Sequence, residues 1–231
     1  MTAAPGLPSL RGRRSLRDEI TQLLRAAVMA GELEPGMTYS APSLAEQFGV
    51  SATPVREAML DLDKEGLVEI VRNKGFRVTT PTAKELDDIT ELRALVEIPT
   101  IRALAERGVA PPDLARLRPL AAEIEAAAGR RDFVAHVALD LEFHLALLEL
   151  AGNPRIVELV RSLRMHSRLY GLRDESHREA LFASWHEHAE LLDRIEAGDA
   201  EGAEAVMRSH IGHVRGIWAE RGAHAPRVSG P

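Results

Sequence analysis

The sequence predicts a mainly α protein in two parts: an N-terminal unit of three helices and a β-hairpin, then a C-terminal all-α antiparallel helical bundle. Three observations predict it. Helical periodicity fills the chain except between residues 68 and 79, where two short β-type runs flank a turn. Charge is uneven: residues 1–80 carry 10 Lys+Arg and 10 Asp+Glu, whereas the rest carry 19 and 25, so the whole net charge of −6 lies downstream. All nine histidines fall after residue 135.

A length of 231 residues suits two ordinary domains, and 45% hydrophobic with 28% charged residues suits folded ones. The absence of cysteine excludes disulfides, thiolate catalysis, iron–sulfur clusters and cysteine-based zinc sites, so any metal must be held by His and carboxylates. No run approaches the ~18 apolar residues of a membrane span. The apolar N-terminal stretch precedes its Arg cluster, the reverse of a signal peptide. A cytoplasmic protein with no membrane partner is expected.

Residues 1–14, rich in Ala, Pro and Gly and ending in Arg11, Arg13 and Arg14, read as a mobile basic arm. Ser15 can cap a first helix with Ile20, Leu23, Leu24 and Ala27 on one face, ending near Gly31. Ser43 and Glu46 have the spacing of a capping box for a short second helix stopped by Gly49. A third helix begins at Ser51 or Thr53 with Pro54 in its first turn, turning Val55, Ala58, Met59 and Leu62 inward and Thr53, Arg56 and Glu57 outward. Val68–Val71 and Phe76–Thr79 bracket Arg72, Asn73, Lys74 and Gly75, a hairpin with a basic tip. Beyond Pro81, a capping box at Thr82 and Glu85 opens six helices, separated at Gly108 with Pro111-Pro112, Gly129, Gly152-Asn153-Pro154, residues 173–176 and Gly198. The chain thus divides into an arm (1–14), a first domain (15–80), a helical domain (81–222) and a flexible tail (223–231).

Two short helices joined by Phe48-Gly49-Val50-Ser51, the second polar and basic at its start, fit a helix-turn-helix, whose second helix enters the major groove of DNA. Arg56 can bond guanine O6 and N7 with its planar fork, and Thr53 can reach a phosphate or base edge. Arg72, Lys74 and Gly75 at the hairpin tip suit phosphates or the minor groove. Taken singly, each is equally an ordinary solvated residue.

In the second half, Asp140 and His144 stand four apart, on one face of a helix. His188 and His210 lie near apolar stripes that face the bundle interior, so four ligands can converge on one divalent ion, zinc first, with nickel or manganese as alternatives. An interior His more often satisfies a backbone carbonyl. His136 and His213, each about one turn from a candidate ligand, and His166 are left without a role. Arg161, Arg164, Arg168 and Arg173 stripe one helix and read as a solvated face.

Gly49-Val50-Ser51-Ala52-Thr53-Pro54-Val55-Arg56-Glu57-Ala58-Met59 resembles the helix-turn-helix signature of GntR-type bacterial transcription regulators. Gly31-Glu32-Leu33-Glu34-Pro35-Gly36, Glu65-Gly66-Leu67 and Asn73-Lys74-Gly75 extend the likeness and imply a winged helix-turn-helix over residues 15–80. The family usually carries Arg where this chain has Ala52, and Pro42 stands where some members place a basic contact. Asp140-Leu141-Glu142-Phe143-His144, Glu187-His188 and Met207-Arg208-Ser209-His210 resemble the motifs of the FCD ligand-binding domain of the FadR branch. That resemblance implies the metal set Asp140, His144, His188 and His210, beside which a small organic acid effector binds. It also implies that Arg93 faces inward to pair with the effector's carboxylate, the alternative being an i,i+4 pair with Glu97. Asn153 matches a family Gly-Asn dipeptide, but equally makes a helix cap.

The leading expectation is a ligand-responsive regulator, a repressor, that binds operator DNA at a short inverted repeat as a homodimer and is not an enzyme. Its rivals are a metal-dependent hydrolase fused to a DNA reader, and a constitutive DNA binder with a vestigial pocket.

Overall fold

The computed structural model describes residues 16–167 and 186–222, with side chains through residue 213. The basic arm, Ser15, Arg168, Arg173, the break at 173–176 and the tail lie outside the described residues.

The reading unit runs α1 (Leu16–Met29), β1 (Thr38–Tyr39), α2 (Ala41–Phe48), α3 (Ala52–Lys64), β2 (Val68–Val71) and β3 (Gly75–Val78). Val55, Ala58, Met59 and Leu62 are buried on α3, as their spacing predicts, against Leu24 and Val28 of α1 and Leu44 of α2. Leu23, expected on the inner face of α1, is instead 48% exposed. Because α1 packs against α6 (Phe133–Glu149) as well as α3, its buried stripe rotates to Ile20, Leu24 and Val28, with Met29 at its end.

Two further expectations change. The second helix is capped by Ser40, whose side chain accepts from Ser43 N–H at 3.2 Å, so the Ser43–Glu46 capping box does not form. Pro42 lies in the first turn, where its missing N–H costs nothing, and this lets the helix start earlier. The sheet has a third strand: β1 pairs with β3 in the order β1-β3-β2, all antiparallel, with Ile70 opposite Phe76 and Thr38 opposite Arg77. Gly36, at φ 77, donates its N–H to Val78 O at 2.8 Å and turns the chain into that strand. Gly75 belongs to β3, opposite Val71, and a Cβ there would lie 2.2 Å from Tyr39 O, so only glycine lets β1 approach.

Six helices follow among the described residues: α4 (Ala83–Arg107), α5 (Pro111–Gly129), α6, α7 (Pro154–His166), α8 (Glu187–Glu196) and α9 (Ala200–Gly222). The Thr82–Glu85 capping box is formed at both of its bonds. Asn153 accepts from Arg155 N–H at 3.0 Å and is the cap of α7. Ile101, Leu114, Ile124, Phe143, Leu147, Leu192 and Met207 fill the bundle core.

The two units touch. Met29 and Ala30 at the end of α1 are buried against Val137 of α6, with Phe133 and Val134 alongside. Near the C-terminus of α7, His166 faces Gly66, the turn between α3 and β2, across a cleft also lined by Thr79, Glu85 and Asp88.

Candidate metal centre and DNA-reading surface

On the reading unit, Thr53 and Arg56 are exposed in the first turns of α3, and Arg72 and Lys74 are exposed in the β2–β3 turn. Other basic residues of the unit are committed to ion pairs: Arg17 with Asp61, Arg25 with Glu65, Arg77 with Glu69 and Lys64 with Asp61. Arg56, Arg72 and Lys74 have no such partner among the described residues. The uncommitted positive charge therefore sits at the recognition helix and the hairpin tip, the two places a winged helix presents to a duplex. Ala52 opens α3, half-buried against the unit's core.

In the bundle, one carboxylate oxygen of Asp140 and one ring nitrogen each of His144, His188 and His210 lie within 4.8 Å of one another. Asp140 and His144 come from α6, His188 from α8 and His210 from α9. His188 Nε2 is 3.0 Å, His144 Nε2 3.5 Å and His210 Nε2 3.8 Å from Asp140 Oδ1, while the Nε2 atoms of His144 and His210 are 3.0 Å apart. Two nitrogens each about 2.1 Å from one ion stand roughly 3.0 to 3.4 Å apart at angles near 90° to 109°, so this spacing suits shared coordination. All three imidazoles are buried. His210 Nδ1 lies 3.1 Å from Glu187 Oε2, which in turn accepts from Ser209 at its other oxygen; a donated Nδ1–H leaves the Nε2 lone pair free for an ion.

The electrostatics favour the ligand forms. Burial lowers the pKa of His210, and burial followed by the nearby Arg164 charge lowers that of His144 well below its ordinary value, keeping both rings neutral. Burial would raise the Asp140 carboxyl. The His144 ring, hydrogen bonds from His144 and His188, and Arg164 outweigh it and hold the group well below the usual carboxylate range. The donor set of three imidazoles and one carboxylate thus fits a divalent ion of intermediate softness.

Beside this cluster, α4 contributes Arg93 and Glu97, both buried. Arg93 Nε donates to Glu97 Oε1 at 2.8 Å, the i,i+4 pair that was one of the two readings of Arg93. Arg93 NH1 reaches Ser167 Oγ at 3.5 Å, and its NH2 has no partner although it is buried. Arg164, read from its stripe as solvated, is instead 3% exposed. It bonds Glu97 Oε2 and donates to Asp140 Oδ2 at 3.1 Å, linking the α4 pair to the metal cluster. Burial pulls Glu97 upward, but Arg164 and Arg93 together hold it at about 2.

Of the unassigned histidines, His136 has Nδ1 3.3 Å from Ile124 O, the ordinary fate of a core imidazole. His213 Nδ1 lies 3.1 Å from Glu187 Oε1, and His166 Nδ1 lies 2.8 Å from Ser162 O. Sequence reasoning missed the roles of Arg164 and Glu187. Glu187 had a signal in its adjacency to His188, whereas the spacing of Arg164 from Arg161 looks the same on a wet or a dry face.

A helix-turn-helix with free basic residues, joined to a helical domain with a buried ligand cluster, defines a DNA-binding regulator with a sensory domain. Residues 16–78 match the model of bacterial regulatory proteins of the gntR family, and residues 88–213 match the FCD domain. The chain belongs to the GntR family, in the FadR-like branch that carries an FCD domain. It is 32% identical, over 94% of its length and 90% of the relative's, to an uncharacterized HTH-type transcriptional regulator in an unstable DNA locus of Streptomyces ambofaciens. It is 30% identical to the HTH-type transcriptional regulator McbR of Escherichia coli K12, over 84% of this chain and 88% of that one. The solved structure of E. coli McbR/YncC superposes with a TM-score of 0.75, covering 90% of this chain and 99% of that one at 26% identity. The protein is a transcriptional regulator, and its domains and relatives set aside the hydrolase alternative.

Proposed function

We propose that the protein is a repressor that binds a short inverted repeat as a homodimer, with operator affinity controlled by a small carboxylate taken up beside a divalent ion in the bundle. In this reading residues 15–80 read DNA and residues 81–222 sense, both in the cytoplasm. Among the described residues no helix is long and apolar enough to cross a membrane. Arg56 and Thr53 read base edges, and Arg72, Lys74 and Gly75 place the hairpin tip against the backbone or minor groove.

The observation that carries the sensor reading is the convergence of Asp140, His144, His188 and His210 next to a buried guanidinium with an unsatisfied N–H. A buried donor without an acceptor is costly, and a carboxylate oxygen would satisfy it. A divalent ion, when bound, supplies a positive charge on which a carboxylate or hydroxyl oxygen can be held. Arg164, bonded to both Glu97 and Asp140, fixes the position of the ligand-bearing wall.

The packing supports transmission to the reading unit. Val137 precedes Asp140 by about one turn of α6 and is buried against Met29 and Ala30 of α1, which is tied to α3 by Arg25–Glu65 and Arg17–Asp61. A shift of α6 therefore moves the helix that braces the recognition helix.

The test begins with an operator selected from a random DNA pool and measured by fluorescence anisotropy with metal-loaded protein. A panel of hydroxy, keto and sugar acids is then titrated. One of them is expected to lower operator affinity by about 5- to 150-fold, the usual size of an allosteric coupling, and only with the metal present. Specific operator binding that no acid changes, with or without metal, would refute the sensor reading.

A further inference from the structure

We propose that the outward face of α4, continued by Ile156 and Leu159 of α7, is the surface through which a second copy of this chain docks. The inference rests on the homodimer reading above and adds to it the seam.

Leu92 and Leu95 on α4 are 48% and 65% exposed, and Leu159 on α7 is 46% exposed. Val96, Pro99 and Ala103 continue the α4 stripe at spacings of three and four, so an apolar ridge runs along the helix away from the core. The two helices run antiparallel. Arg107 donates to Leu150 O at one end, and Arg93 approaches Ser167 Oγ at the other. This register sets Ile156 and Leu159 level with Ala103 and Pro99, where α4 and α7 already share a groove. Three half-exposed leucines in one patch are a contact surface in want of a partner rather than ordinary surface scatter.

Size and charge point to a second copy. From residue 92 to residue 103 the stripe is ~16 Å long, and two helices side by side make it ~20 Å wide, or roughly 300 Å². That is the apolar centre of an interface whose standard size is about 800 Å² per partner, with polar residues forming the rim. The rim is self-complementary. Neither Glu91, beside Leu92, nor Arg161, beside Leu159, has an ion-pair partner among the described residues. A two-fold axis passing near Val96 pairs α4 with its copy head to tail. It brings Glu91 of one protomer level with residue 101 of the other, next to which Arg161 of that protomer stands, and the same contact recurs on the other side of the axis.

The placement also has a regulatory consequence. Arg93 and Glu97 lie on the opposite face of α4 from Leu92 and Leu95, so the effector pocket and the dimer seam are the two sides of one helix. A ligand that moves α4 changes the angle between protomers, and with it the spacing of two recognition helices.

Analytical ultracentrifugation of the full chain, with and without Leu92→Glu combined with Leu95→Glu, tests the seam. The wild type is expected to sediment as a dimer of 25.3 kDa chains. The double variant is expected to dissociate about 100-fold or more weakly bound, with unchanged far-UV circular dichroism. A variant as dimeric as the wild type would overturn this surface while leaving the dimer reading intact. A wild type that stays monomeric on its operator would overturn both. Should the double variant misfold, charge reversal decides: Glu91→Arg or Arg161→Glu alone weakens the dimer and the two together restore it, whereas no effect of either single change refutes the seam.

Discussion

Replacing Glu97 by Gln tests the buried charge network at its centre. The substitution keeps the shape and removes the charge that Arg93 and Arg164 share, leaving two guanidinium groups buried without a counter-ion. Breaking a buried pair from one side costs about 3 to 5 kcal/mol. The acid shift of Glu97 from its model value of 4.5 to about 2 gives a figure of the same order, roughly 3 kcal/mol at 1.36 kcal/mol per pH unit. For a chain of this size each kcal/mol moves Tm by about 2 to 4 °C, so the variant should melt roughly 6 to 20 °C below the wild type at pH 7. The sign of the pH dependence follows. A depressed carboxyl stabilises fully above its unfolded value near 4.5, and the stabilisation is lost as pH falls toward 2. The gap between variant and wild type, followed by far-UV circular dichroism on heating, should therefore narrow between pH 5 and pH 2. A Tm within 2 °C of the wild type, or a gap indifferent to pH, would refute the network.

Further outcomes concern the two sites. Arg56→Ala should cost about 1 to 3 kcal/mol of base discrimination per half-site, seen as selected operator falling toward random DNA in competition anisotropy. Ala52→Arg, which restores the basic residue common in the family at the start of α3, should tighten operator binding and steepen its salt dependence by about one phosphate contact per protomer. Glu187→Gln should lower metal affinity about 10- to 100-fold by weakening the hold on the His210 ring, while leaving helicity unchanged. Equal metal affinity in that variant would show that the ring is oriented by packing alone.

Much of this was legible in the sequence where short-range patterns decide. The inward set Val55, Ala58, Met59 and Leu62 follows from helical spacing alone, and the Thr82–Glu85 box from two residues three apart. β1 was not legible because two residues carry no period and its place is set by Gly36, Gly75 and a distant strand. Leu23 was misplaced because α1 has two packing partners, which no single stripe reveals. Within the candidate metal centre, Asp140 and His144 are a local pair, but their meeting with His188 and His210 depends on three helices whose association came from the family resemblance. Arg164 shows the limit most sharply. Its stripe spacing is neutral between solvent and core, and what buries it is a carboxylate on α4, 67 residues away.

Metal binding to chelator-stripped protein is the most direct test of the central claim that four side chains from three helices form one ion site. Calorimetric titration with zinc, nickel and manganese should show one equivalent bound per chain for at least one of them, and His188→Ala combined with His210→Ala should abolish it. Absence of stoichiometric binding in the wild type, or the same binding in the double variant, would contradict the account.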